Sequence, residues 1–272
     1  MAALNENLNY SLREIQTRDR FGVYCMIFEG IPIVDAHAHL GYFDGWADVG
    51  IALDELIALN KEFNVVHTVV FSVPNSISAE AAKKYPDKIT GYVWLNPYDG
   101  EKAVNELRIA VKEWGCKGVK LHPLFQAFVA DDPVVYPIMD EAKKLKLPVA
   151  IHSGHPPFSL PWSIGELAEV YPDVTIVMLH MGHGHGVYIR AAINTAKRHS
   201  NIVLETSGMP MHTKIKEAME VVGEDRVMYG CDIPFHHPSV ELQRVKMAGL
   251  NDHQLRKILH DNAVEKLRLS FK

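Results

Sequence analysis

Ile33-Val34-Asp35-Ala36-His37-Ala38-His39 is the stretch on which the reading of the chain turns. Read as a β-strand, its side chains alternate between faces, so Asp35, His37 and His39 share one side and Val34, Ala36 and Ala38 the other. An acid and two imidazoles on one strand face are costly to bury unless something satisfies them. A bound cation would do so, because neutral imidazole is the commonest metal ligand. Taken alone, the His-x-His spacing fits two structural histidines near a turn equally well.

Later segments repeat the pattern. Pro148-Val-Ala-Ile-His152 and Thr175-Ile-Val-Met-Leu-His180 are buried-strand patterns that end in histidine, and Arg226-Val-Met-Tyr-Gly-Cys-Asp232 ends in an acid before Ile-Pro. Parallel strands would gather these C-terminal ends at one place. That convergence is the main signal in the sequence.

The chain has 272 residues, 47% of them hydrophobic, and a formal charge of −5. One α/β barrel typically takes roughly 250 residues, so the length suits a single such domain. Mild acidity without basic runs argues against nucleic acid, whose binders show a positive footprint. No apolar run approaches the roughly 20 residues of a spanning helix, and the polar start Met1 to Tyr10 has no signal-peptide core. Cys25, Cys116 and Cys231 are widely spaced and form no C-x-x-C pair. They read as free thiols in a reducing cytosol, so a cytoplasmic protein is expected. The expected partner is a small-molecule substrate, with no nucleic acid or membrane, and a homo-oligomer is left open.

Residues 1–30 precede the first convincing strand. Leu8, Leu12 and Ile15 sit at helical spacing, and the run Phe21 to Phe28 is apolar, but this N-terminal extension carries no ligand cluster. From Ile33 onward strands and helices alternate. The strands expected are Ile33–His39, Val66–Val73, Ile89–Leu95, Gly118–His122, Pro148–His152, Val174–His180, Ile202–Thr206 and Arg226–Gly230. Helical patterns fill Leu53–Phe63, Ser78–Tyr85, Glu101–Trp114, Val134–Leu145, Ile164–Val170, Tyr188–Ser200, Lys214–Val222, Ser239–Met247 and Asp252–Leu269. Eight strands alternating with helices predict an α/β protein, a single (β/α)8 TIM barrel over residues 31–272. An open doubly wound sheet is the runner-up, but no G-x-G-x-x-G supports it. In a barrel the active site lies at the C-terminal strand ends, where all the candidate ligands fall.

At this point the sequence resembles the amidohydrolase superfamily. The resemblance covers the chain after residue 31 and rests on Asp35-Ala-His37-Ala-His39, His152, His180 and Gly-Cys-Asp232 in that order. Within the superfamily it is similar to the branch of aminocarboxymuconate-semialdehyde decarboxylase, resorcylate-type decarboxylases and related hydrolases. Gly118-Val-Lys-Leu-His-Pro123, Gly230-Cys-Asp-Ile-Pro-Phe235 and Ile258-Leu-His-Asp-Asn-Ala263 carry that likeness. The resemblance implies that His37, His39, His152 and Asp232 bind a divalent metal, with His180 beside the bound water or on a second metal.

Three imidazoles, a carboxylate and a water suit Zn²⁺ first, and Mn²⁺ or Co²⁺ next. The expected reaction is hydrolysis of a small ester, lactone or amide by metal-activated water. Asp232 would serve as general base and His180 would orient the water or stabilise the oxyanion. The alternative is non-oxidative decarboxylation of a small carboxylic acid, aromatic or otherwise, with a protonated acid delivering H⁺ to carbon. The ligand set does not separate the two. A barrel that binds metal without chemistry is disfavoured by the presence of both Asp232 and His180.

Lys120 and His122 lie two apart on one strand and share a face. Lys120 has three readings: a carbamylated bridge between two metals, a cation for a substrate carboxylate, or the partner of a barrel acid. His122 and His155 are expected at the substrate, and the loop residues His183, His185, His236 and His237 could reach it. Phe43, Trp46, Phe125, Phe128, Phe158, Trp162 and Phe235 follow strand ends and could wall the pocket. His67, His199, His253 and His260 read as packing or surface residues.

Overall fold

Strand β1 (Ile33–His39) is buried along its whole length and pairs in parallel with β4 (Val65–Phe71). The computed structural model containing them describes Phe28, residues 30–45 and residues 47–271. The helix expected around Leu8, Leu12 and Ile15, the apolar run before Phe28, and Trp46 lie outside the described residues. Between β1 and β4 stand an antiparallel hairpin of β2 (Gly41–Phe43) and β3 (Val49–Ile51) and helix α1 (Leu53–Glu62). The hairpin was not expected from the sequence, because three-residue strands carry no readable alternation.

The remaining barrel positions follow in order. Helix α2 (Asn75–Lys84) leads to β5 (Ile89–Gly91), which pairs with β4, and β6 (Val93–Trp94), which pairs with β7 (Val119–Leu121). The sequence predicted Ile89 to Leu95 as one strand. The structure breaks it at Tyr92, whose N–H still donates to Val70 O at 3.0 Å. Helix α3 (Glu101–Lys112) precedes β7, and α4 (Pro123–Gln126) and α5 (Tyr136–Leu145) follow it. Then come β8 (Val149–His152), α6 (Pro161–Val170), β9 (Ile176–Leu179), α7 (Gly186–Arg198), β10 (Ile202–Glu205), α8 (Thr213–Val222) and β11 (Val227–Met228). Parallel pairs run unbroken from β6 through β11. The barrel closes where Tyr229 O accepts from Ala36 N at 3.2 Å, while Asp232 N donates to His37 O and His39 N to Ile233 O, both at 2.6 Å.

Side chains on each strand divide by parity. Val69, Ala150, Val177, Val203 and Met228 join one apolar cluster inside the barrel. Their neighbours Val70, Val149, Ile151, Ile176, Ile202, Leu204 and Val227 belong to the shell under the helices. Complete burial of a Val, Leu or Met side chain contributes roughly 1.5–3 kcal/mol, so both layers specify the register strongly.

On β1 the parity slips. Val34 and Ala36 face the interior cluster, whereas Ile33, Ala38 and Leu40 pack in the outer shell. The register against β4 shifts between Asp35 and Ala38, as a bulge does. His37 and His39 therefore turn inward on the same side as Val34 and Ala36, which corrects the simple alternation read from the sequence. Asp35 is turned toward the seam, where its Oδ1 accepts from His37 N at 3.0 Å and Cys231 N at 2.8 Å.

After α9 (Pro238–Met247) the chain forms α10 (Asp252–Arg256), a π-helical turn over Lys257–Asp261 and α11 (Asn262–Lys266), not the single helix expected over 252–269. Leu267 and Leu269 then enter the interior cluster from below, and Phe271 stacks on His67 at 4.2 Å. No helix among the described residues is long and apolar enough to cross a membrane.

Candidate metal centre and active site

Among the described residues, two of the hollows lie at opposite ends of the barrel. The larger, about 730 Å³, lies at the N-terminal strand ends between Glu80, Lys83, Glu113, Lys117 and Arg268. The smaller, about 190 Å³, lies at the C-terminal strand ends. Barrel chemistry belongs to the latter end, and there, among the described residues, buried imidazoles and a carboxylate converge.

The site is built on His37. Its Nδ1 stands 3.2 Å from Glu205 Oε2 and 3.1 Å from Ser207 Oγ. A carboxylate acceptor on that side keeps the ring proton on Nδ1, which leaves the Nε2 lone pair facing the barrel axis. There Nε2 meets His39 Nε2 at 3.1 Å, Asp232 Oδ1 at 3.2 Å and Lys120 Nζ at 3.3 Å. His39 Nε2 is itself 3.2 Å from the same Asp232 oxygen. His180 is prepared in the same way, with Nδ1 3.0 Å from Ser207 O, so its Nε2 is also free of a proton.

One ligand atom each from His37, His180 and Asp232 fall within 4.8 Å of one another. Two ligands about 2.1 Å from a common ion stand ~3.0–3.4 Å apart, close to the spacing seen among His37, His39 and Asp232. The unprotonated Nε2 atoms of His37 and His180, a buried carboxylate, and His39 with its Nδ1 lacking a hydrogen-bond partner form a donor set that fits a divalent cation. His152, expected as a fourth ligand, lies beside the group and not in it. Its Nε2 faces His155 Nδ1 at 2.9 Å, and its ring centroid is 4.7 Å from that of His180.

Backbone geometry aims these groups. Asp232 has φ +61° and His180 φ +63°, left-handed conformations that cost an L-residue roughly 1–2 kcal/mol. Asp232 is held there by its N–H to His37 O and by Phe235 N donating to its own carbonyl at 2.9 Å. Gly230 has no Cβ because one would stand 2.3 Å from Glu205 Oε1 and 2.9 Å from His37 Cβ. The glycine lets the acid approach the histidine.

Burial dominates the electrostatics. It pushes the imidazoles of His37, His39, His122, His152 and His180 well below their ordinary value, and the Lys120 ammonium adds to this for each. Neutral rings are what metal ligation requires. Burial raises the carboxyls of Asp232 and Glu205 to about 7, against Lys120 and His236 in the first case and Ser207 and His180 hydrogen bonds in the second. It lowers Lys120 to about 7, against the charges of Asp232 and Glu205. His183, facing His155 and His236, falls to about 4, again chiefly through burial.

Lys120 and His122 both face inward from β7, while Val119 and Leu121 pack in the outer shell. Phe43, Phe125 and Phe235 wall the pocket, with His155, His183 and His236 around it. Phe128 instead packs in the outer shell, and Trp162 is exposed and packs edge-on against Tyr188. His185 and His237 cap α7 and α9 through Val187 N and Ser239 N. Glu205, Ser207 and Trp94 were given no role from the sequence. Glu205 was findable by parity, since it lies two residues after the interior Val203 at a strand end.

The family whose members are described as amidohydrolases matches residues 34–269. The chain belongs to the amidohydrolase family. Among curated relatives, gamma-resorcylate decarboxylase of Rhodococcus jostii (strain RHA1) is 24% identical over 247 residues, covering 72% of this chain and 75% of the relative. The 2-amino-3-carboxymuconate-6-semialdehyde decarboxylase of Dictyostelium discoideum is 24% identical over 258 residues, covering 81% of this chain and 66% of its own length. Among solved structures, 5-carboxyvanillate decarboxylase of Novosphingobium aromaticivorans DSM 12444, complexed with manganese and 4-hydroxy-3-methoxy-5-nitrobenzoic acid, superposes with a TM-score of 0.73. It is 17% identical, with 92% of this chain and 99% of that one covered. That likeness speaks for the barrel fold.

These findings correct the expectation of an ester, lactone or amide hydrolase. The relatives are named for decarboxylation, the reaction held second on sequence grounds. The error has a physical source: imidazoles and a carboxylate around one ion serve either chemistry, so the ligand set was blind to the difference. Manganese in the solved relative likewise leaves zinc without specific support, and only a divalent metal is sustained.

Proposed function

We propose that this member of the amidohydrolase family is a metal-dependent decarboxylase of a small, planar, aromatic carboxylic acid. The meeting of His37, His39, His180 and Asp232 at a ring-walled pocket of about 190 Å³ supports a metal-dependent reaction, and relatives named as decarboxylases support this one over hydrolysis. That volume is below the roughly 300–1,000 Å³ of pockets for drug-sized ligands, which suits a single substituted ring.

His37, His39, His180 and Asp232 would hold the ion, with His152 standing beside them. Mn²⁺ is favoured by the relatives, and Zn²⁺ and Co²⁺ suit the same donors. When bound, the ion would supply positive charge that orients the substrate through its oxygens. The proposed steps belong to the side chains. Asp232, at the mouth of the final strand and lining the pocket, hands a proton to the ring carbon. A ring electron pair forms the new carbon–hydrogen bond; the carbon–carbon bond then opens, its electron pair returns to the ring, and CO₂ leaves. His180 orients the reacting group, and Lys120, His122 and His155 contact the substrate. Phe43, Phe235 and Trp94 keep water from the site.

We also propose that residues 31–272 form one catalytic domain and residues 1–30 an N-terminal extension. Buried, unpaired Cys116 and Cys231 suit a reducing cytoplasm. The decisive experiment is CO₂ release from a panel of hydroxylated benzoates by protein loaded with Mn²⁺ or Zn²⁺. Turnover of at least one acid, lost on chelation and restored by metal, is expected. Silence across the panel with a metal-loaded, folded protein would overturn the reading.

A further inference from the structure

Strand parity puts Lys120 and His122 side by side on the pocket wall. Lys120 is fully buried, with Nζ 4.9 Å from the Phe71 ring centroid and 5.7 Å from that of Trp94. Among the described residues, its hydrogen-bonding contact is His37 Nε2 at 3.3 Å. That lone pair is the one His37 offers a metal. Once it is used, a buried ammonium with three donors needs another acceptor.

His122 is fixed as a donor toward the same space. Its Nδ1 accepts the backbone N–H of Phe125 at 3.0 Å, capping α4, so the proton of the neutral ring sits on Nε2. Both faces of the ring are covered, by Trp94 at 5.4 Å and 8° and by His152 at 4.0 Å and 14°. Only the ring edge can address the pocket. The wall thus carries two donors, Lys120 Nζ and His122 Nε2–H, beside the metal-facing groups.

We propose that Lys120 Nζ and His122 Nε2–H form a seat for an anionic oxygen that the substrate keeps, beside the carboxylate it loses. The choice of the kept oxygen rests on the decarboxylase reading. A cation locked on the departing carboxylate would stabilise charge that vanishes as neutral CO₂ forms, favouring the ground state. As the carbon–carbon bond of the protonated ring opens, its electron pair returns to the ring and charge returns to a conjugated oxygen, so donors there favour that bond-breaking step. The kept oxygen is a phenolate or a second carboxylate, and the two share this recognition chemistry.

Binding separates the seat from the reaction. Metal-loaded protein is titrated calorimetrically with benzoate, 2-hydroxybenzoate and benzene-1,3-dicarboxylate. Wild type is expected to bind one of the latter two at least about tenfold tighter than benzoate, and which one names the kept group. Lys120→Met, nearly matched in volume, should erase that preference while metal content and benzoate affinity persist. His122→Asn keeps an oxygen to cap Phe125 N but loses the Nε2–H, and should weaken the same preference. Equal binding of all three probes by wild type, or an unchanged preference in both variants, overturns the seat. Loss of metal from Lys120→Met also overturns it, by making the lysine part of the metal site. None of these readings requires turnover, so an absence of CO₂ release would count against the reaction alone.

Discussion

Glu205 grips His37 from behind: its Oε2 lies 3.2 Å from Nδ1, on the side of the ring away from Asp232. The same carboxylate accepts from His180 N at 3.1 Å and from Ser207 Oγ at 2.8 Å. One buried acid therefore orients one proposed ligand directly and positions the backbone of a second.

Glu205→Gln tests that grip. The amide keeps the shape but leaves His37 without an anionic partner, and changes of this kind cost roughly 10–100-fold in metal affinity. Competition titration with a metal indicator should show weaker Mn²⁺ and Zn²⁺ binding at an unchanged circular dichroism spectrum. Wild-type affinity in this variant would make Glu205 a mere packing residue.

Gly230→Ala should be worse. Its new Cβ would press on Glu205 Oε1 and His37 Cβ, in backbone between β11 and Asp232 that cannot easily yield. Overpacking of this kind typically costs about 1–3 kcal/mol, and here it also displaces the proposed ligand. Lower melting temperature together with lower metal content is expected. A variant that retains both would show the seam to be looser than its distances indicate.

Asp232→Asn separates holding the metal from moving the proton. His37, His39 and His180 remain, so a substantial share of the metal should stay bound, yet the amide cannot hand a proton to carbon. General acid–base groups contribute roughly 10²–10⁴-fold, so kcat for CO₂ release should fall by at least about 10²-fold. Near wild-type turnover in a metal-loaded Asp232→Asn protein would falsify the assignment of the acid.

Removing both β1 histidines one at a time gives a further check. His37→Ala and His39→Ala should each lose metal while the barrel persists, because the interior cluster and the outer shell do not depend on either ring. Full metal content in both would show the pair to be structural.

The metal-free protein should gain stability as pH rises from about 5 to 8. Folded His37, His39, His122, His152 and His180 lie well below 6.5, so over that range the unfolded chain binds protons that the fold refuses. Lys120, lowered to about 7 from 10.5, extends the gain above neutrality. Asp232, Glu205 and Glu241, raised to about 7, act in the opposite sense, since the fold holds their protons and that contribution fades as pH climbs to 7. The imidazoles outnumber these acids, so melting temperature should rise on balance. A melting temperature that falls over this interval would mean that the acids dominate.

The barrel was legible from the chain alone because its strands announce themselves as short apolar runs separated by amphipathic helices, several of them closing on a histidine or an acid. His180 and Asp232 could be read for the same reason: a histidine or acid closing an otherwise apolar strand has little other purpose. Family membership followed from the order of those residues.

What the sequence could not carry was everything that depends on phase and approach. The slip between Asp35 and Ala38 reverses which side of β1 the histidines take, and a bulge has no signature in local composition. The same holds for His152, whose ring turns to His155, a residue only three positions away that the strand pattern does not connect to it. Glu205 became a partner of His37 through 168 residues of separation, across a gap that Gly230 keeps open. Hydrophobic periodicity is a local property of the chain, whereas ring orientation and the protonation it enforces arise only where distant strands meet.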